Sequence, residues 1–259
     1  MSHDQYRIAW TDYQSLLVNK LNELTAGEPY EHTQPKDIAI QFARDPHAAS
    51  LFNHASMAHN NHLFFLKLST DPQPLKDNPT LHQSLTQSFG SIETLKATML
   101  DRATAMFGPG FVWLVWARER DPSRSSGRKG SWKILNTYLA GTPYPEAGYR
   151  QQGVDTNTMD AASYAQHMKN QPTNYAGAFG GLSKNAKETA KLPPGGTNVM
   201  PVLCVNTWEH CWLRDFGMNG KRAYLNAWWE AVDWGAVSTV MPAEAQPAPA
   251  FSRSSDKYF

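Results

Sequence analysis

Histidines are the residues of this chain whose type could support metal chemistry. Four of the nine are the candidates for a metal site: His54, His59, His62 and His210. His59 and His62 are three positions apart within a predicted helix, and this spacing can bring two imidazole rings together. A histidine on a helix is also common as a surface residue or as a satisfied core residue, so the spacing alone does not predict a metal site.

A second group of residues could contact RNA. It consists of six basic residues in and beside a predicted hairpin tip: Arg118, Arg120, Arg124, Arg128, Lys129 and Lys133. Such a local cluster suits contacts with phosphates. Glu119 and Asp121 dilute its charge, and a solvated loop is the alternative interpretation. Four tyrosines further along could stack on bases or pack internally: Tyr144, Tyr149, Tyr164 and Tyr175.

The composition indicates the size of the fold that positions these residues and excludes some classes of protein. With 259 residues, of which 41% are hydrophobic and 18% charged, the chain can bury the core of one large domain or of two small ones. The 24 Lys and Arg nearly balance the 23 Asp and Glu, and a net charge of +1 provides no general field for nucleic-acid binding. No apolar run approaches the roughly 18 to 20 residues that cross a bilayer, so we expect a soluble chain without a membrane partner.

The two cysteines, Cys204 and Cys211, indicate the redox state of the compartment in which the protein folds. They are too few for the disulfide framework of a small secreted domain, and they lack the spacing of a CxxC redox or zinc pair. A reducing compartment is therefore favoured. The first ten residues carry neither the apolar core of a secretory signal nor the Arg-rich character of an organelle presequence.

The N-terminal part of the chain predicts a helical hairpin over residues 1–75. Apolar residues recur at spacings of three and four from Tyr13 to Leu24, which is typical of an amphipathic helix. A second long helix is predicted after Pro46, and a polar loop joins the two. The polar, proline-broken segment 71–80 is the predicted domain boundary.

The remaining pattern predicts a C-terminal α/β domain over residues 82–240. A helix over 82–106 precedes a β-hairpin, and a third strand and a last helix close the domain. Residues 142–198, rich in Gly, Pro, Asn, Thr and Ala, are predicted to be an extended insertion. The Pro- and Ala-rich residues 241–259 are predicted to be a flexible tail.

Four motifs in the same order resemble the iron/manganese superoxide dismutase family. NTWEHCWLRDF at 206–216 is similar to the family's Asp-x-Trp-Glu-His-Ala-Tyr signature, and HNNHLFFLKLS at 59–69 to its Asn-His-x-x-Phe-Trp segment. SFGSIETLK at 88–96 and FGPGFVWLVW at 107–116 are similar to the family's Phe-Gly-Ser-Phe and Phe-Gly-Ser-Gly-Trp-x-Trp-Leu motifs. The resemblance implies an α+β fold: a helical hairpin followed by an α/β domain with a small three-stranded antiparallel sheet.

The resemblance also implies a metal site of three histidines and one aspartate, which this chain fills only in part. His62 matches the second-helix ligand, and His210 matches the histidine of Trp-Glu-His. The aspartate position is Asn206 and the first-helix histidine position is Ile8, neither of which supplies the expected donor. We therefore expect no catalytic residues, no metal and no other cofactor.

Two neighbouring positions of the family site also differ. Leu16 falls at the place of the family's first-helix tyrosine, and Ala58 lies one turn before His62, where some members carry glutamine. Proton delivery and redox tuning depend on such groups, so their loss supports an inactive enzyme.

A pairing surface is the part of the family's machinery that the chain retains. In dimeric members the glutamate of Trp-Glu-His crosses to the neighbouring subunit, and the corresponding residues are predicted at an interface: Glu209, His210, Asn219, Arg222 and Tyr224. A solvated Glu209 near a helix start is the alternative interpretation.

A dismutase fold without its metal site resembles the dismutase-like proteins of the fungal mitochondrial small ribosomal subunit. That resemblance implies a structural role in translation in the mitochondrial matrix, in a heterodimer with a second dismutase-like protein. Other small-subunit ribosomal proteins and rRNA are the further expected partners. The alternatives are a divergent active dismutase that uses His62 and His210, and an interaction module unrelated to ribosomes.

Overall fold

The computed structural model describes residues 1–118, 130–147 and 199–246. Helix α1, His3–Tyr6, is capped by the hydroxyl of Ser2 and continues into a π-helical turn, Arg7–Asp12. Helix α2, Tyr13–Thr25, follows directly, which confirms the helix expected from the spacing of the apolar residues. A π-helical turn holds more residues than an α-helical turn, so it rotates the faces of the helix that precedes it relative to the helix that follows.

Helices α3, Pro35–Phe42, and α4, Ala49–Leu66, complete the N-terminal helical region. Pro35 occupies the first turn of α3, where its missing N–H removes no helical hydrogen bond. Apolar side chains from α2, α3 and α4 form a small cluster of their own: Leu21, Ile38, Ala39, Leu51 and Ala55. The three helices therefore pack together.

The C-terminal region alternates helices with one sheet. Its elements are α5, Pro79–Phe89; α6, Ile92–Ala105; β1, Gly110–Arg118; β2, Gly130–Tyr138; β3, Val199–Asn206; α7, Leu213–Phe216; α8, Lys221–Ala231; and α9, Trp234–Ser238. The strands are antiparallel in the order β2-β1-β3, with β1 buried along nearly its whole length. The α+β fold expected from the sequence is confirmed.

The main core crosses the boundary expected at residues 71–80. Leu17 and Phe64 from the N-terminal helices belong to the same buried cluster as Trp113 and Leu203 from the sheet. An isolated bridge between Leu68 and Val232 adds backbone contact between the two parts. The N-terminal helices therefore depend on the C-terminal region for part of their apolar burial.

Residues 241–246 differ from the flexible tail expected there. Residues Ala243–Ala245 form a 3-10 turn, Ala245 is buried, and its carbonyl accepts a hydrogen bond from the Ser84 hydroxyl. Of the expected insertion, the structure describes residues 142–147. This described segment ends in the 3-10 turn Pro145–Ala147. The rest of the tail and of the insertion lies outside the described residues, and none of the described helices is long and apolar enough to span a bilayer.

Candidate functional site

Asn61, and not the neighbouring His62, faces the interior beside Asn206, which matches the family's aspartate ligand. The Asn61 side chain is fully buried, and its Nδ2 donates to the backbone oxygen of Ala9 at 3.3 Å and to Oε1 of Gln14 at 3.0 Å. His62 is exposed, with its ring 5.8 Å from the ring of Trp10. Adjacent helix residues are rotated by about 100° from one another, so the two side chains cannot share one face.

Asn206 lies opposite Asn61 at the end of β3. Its Nδ2 donates to Oδ1 of Asn61 at 3.4 Å, and its Oδ1 accepts the backbone N–H of Trp208 at 2.9 Å. On the other side of Asn61, the Nε2 of Gln14 donates to the backbone oxygen of Ala58 at 3.0 Å. We call Gln14, Asn61 and Asn206 the amide chain, because their side chains are hydrogen-bonded in series.

The structure also corrects the two positions assigned on the first helix. Ile8 is half-exposed, whereas the carbonyl of the fully buried Ala9 reaches the amide chain. Leu16 is 59% exposed, and Leu17 takes the core position beside it. The π-helical turn before α2 changes which residues face inwards, and spacing counted on a regular helix does not show this.

His210 packs its ring against the aromatic rings of Tyr13 and Trp208. Its ring centroid is 4.1 Å from that of Tyr13, and its backbone oxygen accepts a hydrogen bond from Gln5. Its Nε2 is buried without a hydrogen-bond partner. Burial lowers the pKa of His210 to about 4 and, with the nearby Cys211, raises that of Tyr13 to about 12. Both side chains are therefore neutral near pH 7.

The donors at this site do not fit iron or manganese. Asn61 and Asn206 are uncharged amides, and His210 is the one imidazole among the predicted ligands that lies on the inner side of the fold. In the described ranges, no three His, Cys, Asp or Glu side chains form a group that could hold a metal ion. A hard di- or trivalent cation requires anionic or strong neutral donors, which this arrangement lacks.

The residues predicted at a pairing surface differ in their exposure. Glu209 and Asn219 are exposed, and Arg222 is exposed while its Nη1 contacts Oδ1 of Asp101 at 2.6 Å. Tyr224 does not belong to this surface, because it is buried and its hydroxyl donates to the backbone oxygen of Asn206 at 2.7 Å. Its position on the inner face of α8 explains the difference.

The predicted basic cluster is described only at its two edges. Arg118 forms an ion pair with Glu244 at 3.3 Å, and Lys133 is exposed on β2. The remaining four members lie outside the described residues: Arg120, Arg124, Arg128 and Lys129.

The other candidate side chains serve local packing. His59 contacts the hydroxyl of Tyr144 through Nε2 at 2.9 Å, and the ammonium of Lys36 lies 5.2 Å from the Tyr144 ring centroid. Burial, with a smaller contribution from Lys36, lowers the pKa of His59 to about 4. His54 bonds the backbone oxygen of Ser50 at 2.7 Å. His59 and His62 therefore do not form a shared site.

Sequence spacing missed the three residues that occupy the site: Ala9, Gln14 and Asn61. A signal for Asn61 exists, since Asn60 and Asn61 interrupt the apolar face of α4 and both are fully buried. Buried amides are normally hydrogen-bonded, so two of them within one helix indicate a polar network.

Comparisons with known proteins agree with this fold. The model of the family described as iron/manganese superoxide dismutases, C-terminal domain, matches residues 77–146 and 180–240, which together are half of the chain. The residues between these segments fall within the predicted insertion. The fold and the position of the site thus define a protein with dismutase architecture, and the chain belongs to the iron/manganese superoxide dismutase family.

Individual relatives fall into two functional groups. The chain is 27% identical over 208 residues to small ribosomal subunit protein mS42 of Schizosaccharomyces pombe, covering 79% of this chain and 72% of the relative. It is 24% identical over 237 residues to protein mS43 of the same organism, covering 89% and 75%. An iron superoxide dismutase of Entamoeba histolytica is 26% identical over 220 residues, covering 85% and 80%.

Proposed function

We propose that this chain is a structural component of the small subunit of the mitochondrial ribosome and that it supports translation without dismutating superoxide. The observation that carries the proposal is the buried contact between Asn61 and Asn206, where the residue at the family's aspartate position is a neutral amide bonded to a second amide. The similarity of the chain to two small ribosomal subunit proteins indicates the role that the fold serves in place of dismutation. The mitochondrial matrix is the proposed location.

The proposed partner is a second dismutase-like protein, bound in a heterodimer across the surface that carries Glu209. Apolar residues beside this surface support an interface, since Phe107 is 97% and Met218 79% exposed. Lys221 connects the loops of these two residues, because its Nζ donates to the backbone oxygen of Met106 at 2.9 Å. Exposed large apolar side chains that lie together are typical of a protein–protein contact.

Charge distribution separates the proposed protein contacts from contacts with rRNA. Residues 118–133, which contain the basic cluster, carry six Lys and Arg against two Asp and Glu, a net charge of +4 in a chain whose total is +1. The rest of the sequence therefore has a net charge of −3. We propose rRNA contacts for the basic cluster and protein contacts for the rest of the chain, because phosphate binding requires local positive charge.

Sedimentation tests this proposal. A tagged chain is produced in fungal mitochondria, and gradient fractions of the extract are probed for the tag, small-subunit rRNA and the second dismutase-like protein. We expect all three in the small-subunit fractions. Recovery of the chain in light fractions alone would contradict a ribosomal role, and recovery in the subunit without the second protein would contradict the heterodimer.

A divergent active dismutase remains the second candidate, because iron superoxide dismutases are among the relatives. The test is the metal content and dismutase activity of the purified chain, with a characterised iron enzyme as the positive control. Near-stoichiometric iron or manganese together with activity would replace the structural proposal by the enzymatic one.

A further inference from the structure

We infer that the amide chain does mechanically what a metal centre does in a metalloprotein: it joins distant segments of the fold, so that this fold is held together without a metal. The inference deepens the proposed function, since it concerns how an inactive dismutase architecture stays folded. It starts from the disagreement between the family's metal site and the side chains present here.

The amide chain connects three elements of the fold. Asn61 lies on α4, Gln14 on α2 and Asn206 on β3. The contact between Asn61 and Asn206 spans 145 positions of the sequence, and the bond from Asn61 to Ala9 spans 52. A metal centre links remote segments through coordination bonds, and here hydrogen bonds form the link.

The hydrogen-bonding groups of the two buried asparagines have partners within the protein. Both Asn61 and Asn206 are fully buried. The Nδ2 of Asn61 has acceptors on Ala9 and Gln14, its Oδ1 has a donor on Asn206, and the Oδ1 of Asn206 has a donor on Trp208. A buried polar network stabilises a unique arrangement when its members are satisfied, and loss of one member leaves the others unpaired.

This arrangement explains why His62 can be exposed. With Asn61 directed inwards, His62 lies about 100° away on the helix surface, where its ring meets Trp10. The amide oxygens of Asn61 and Asn206 are both engaged in hydrogen bonds within the protein. A cation at this place would have to displace those bonds without gaining an anionic ligand.

The test is a double-mutant cycle on the full-length chain. Asn61→Leu and Asn206→Leu are made singly and together, and urea unfolding is followed by tryptophan fluorescence. Each single change leaves a buried amide unpaired, so we expect the folded-to-unfolded ratio to fall by about 10- to 100-fold. The double variant removes both partners, so its loss should be smaller than the product of the two single losses.

The control is Asn53→Leu, which changes an exposed asparagine of the same helix. We expect the folded-to-unfolded ratio of this variant to stay within twofold of that of the unchanged chain. Should Asn61→Leu not fold, Gln14→Leu replaces it, because it deletes only the part-buried end of the amide chain. Its expected effect is a severalfold loss that the control does not show.

The unchanged protein provides a further measurement. Its unfolding midpoint should be the same with EDTA, with added Mn²⁺ and with added Fe²⁺. A midpoint lowered by EDTA, or single losses that multiply without coupling, would overturn the inference. Neither result would remove the chain from the ribosomal fractions, so failure of this inference and failure of the proposed function are distinguishable.

Discussion

Lowering the pH from 7 to 5 should destabilise the protein through two half-buried histidines, His59 and His210. Burial lowers the pKa of each from the ordinary 6.5 to about 4 in the folded state. Between these two values the unfolded chain binds a proton on each imidazole that the folded chain does not bind. The free energy of unfolding therefore rises with pH through this window and falls as the solution is acidified.

The size of the effect follows from the two pKa values. Each histidine has a pKa of 6.5 in the unfolded state and about 4 in the folded state. Its protonation therefore lowers the free energy of unfolding by about 2 kcal/mol at pH 5 relative to neutral pH. The two side chains lie on different elements and have different neighbours, since His59 on α4 contacts Tyr144 and the His210 ring packs against Tyr13. We therefore expect additive losses of about 4 kcal/mol, a large part of the usual stability of a domain.

Urea unfolding measured by tryptophan fluorescence at pH 7, 6 and 5 tests this prediction. His59→Gln and His210→Gln should each remove about half of the pH dependence, because glutamine does not titrate. The matched control is His32→Gln, which replaces an exposed histidine. Equal pH dependence in the unchanged chain and both buried-site variants would refute the reasoning.

Three further predictions concern single residues. Leu139 has a positive φ of 51°, a backbone conformation that glycine adopts without strain. Leu139→Gly should therefore raise the free energy of unfolding by about 0.5–1 kcal/mol in urea titrations, and a decrease would refute the strain. Tyr224→Phe leaves the buried carbonyl of Asn206 without its donor and should lower stability by about 1–2 kcal/mol, whereas unchanged thermal unfolding would show that this bond contributes nothing. Burial raises the pKa of both thiols, Cys204 and Cys211, so a disulfide reagent at pH 8 should label neither in the folded protein and both in 6 M guanidinium; fast labelling of the native chain would contradict their burial.

Motifs near the strands and at the Trp-Glu-His segment predicted the family and the α+β fold, because large apolar runs with β-branched residues form buried strands wherever their partners lie. Asn206 and His210 lie close together in the sequence. Asn206 ends β3 and His210 lies in the turn that follows it, so their placement depends on one strand whose end is visible in the sequence.

Helical residues were harder to place from the sequence. On α4 the buried positions run from Ala55 and Ala58 to Asn61, whereas a spacing of four leads from Ala58 to His62. A helical period of 3.6 residues allows either spacing, and the polarity of asparagine favours neither. The choice requires knowledge of what the side chain meets.

By itself the sequence predicted, through motifs that resemble the dismutase family, the α+β architecture and an asparagine at the position of the aspartate ligand. Only the tertiary structure decided that Asn61 faces Asn206, that Ala9 replaces Ile8 beside them, and that Tyr224 is buried. The physical reason is that a buried amide is stable only with partners, and these partners are brought together by contacts up to 145 residues apart and by a π-helical turn.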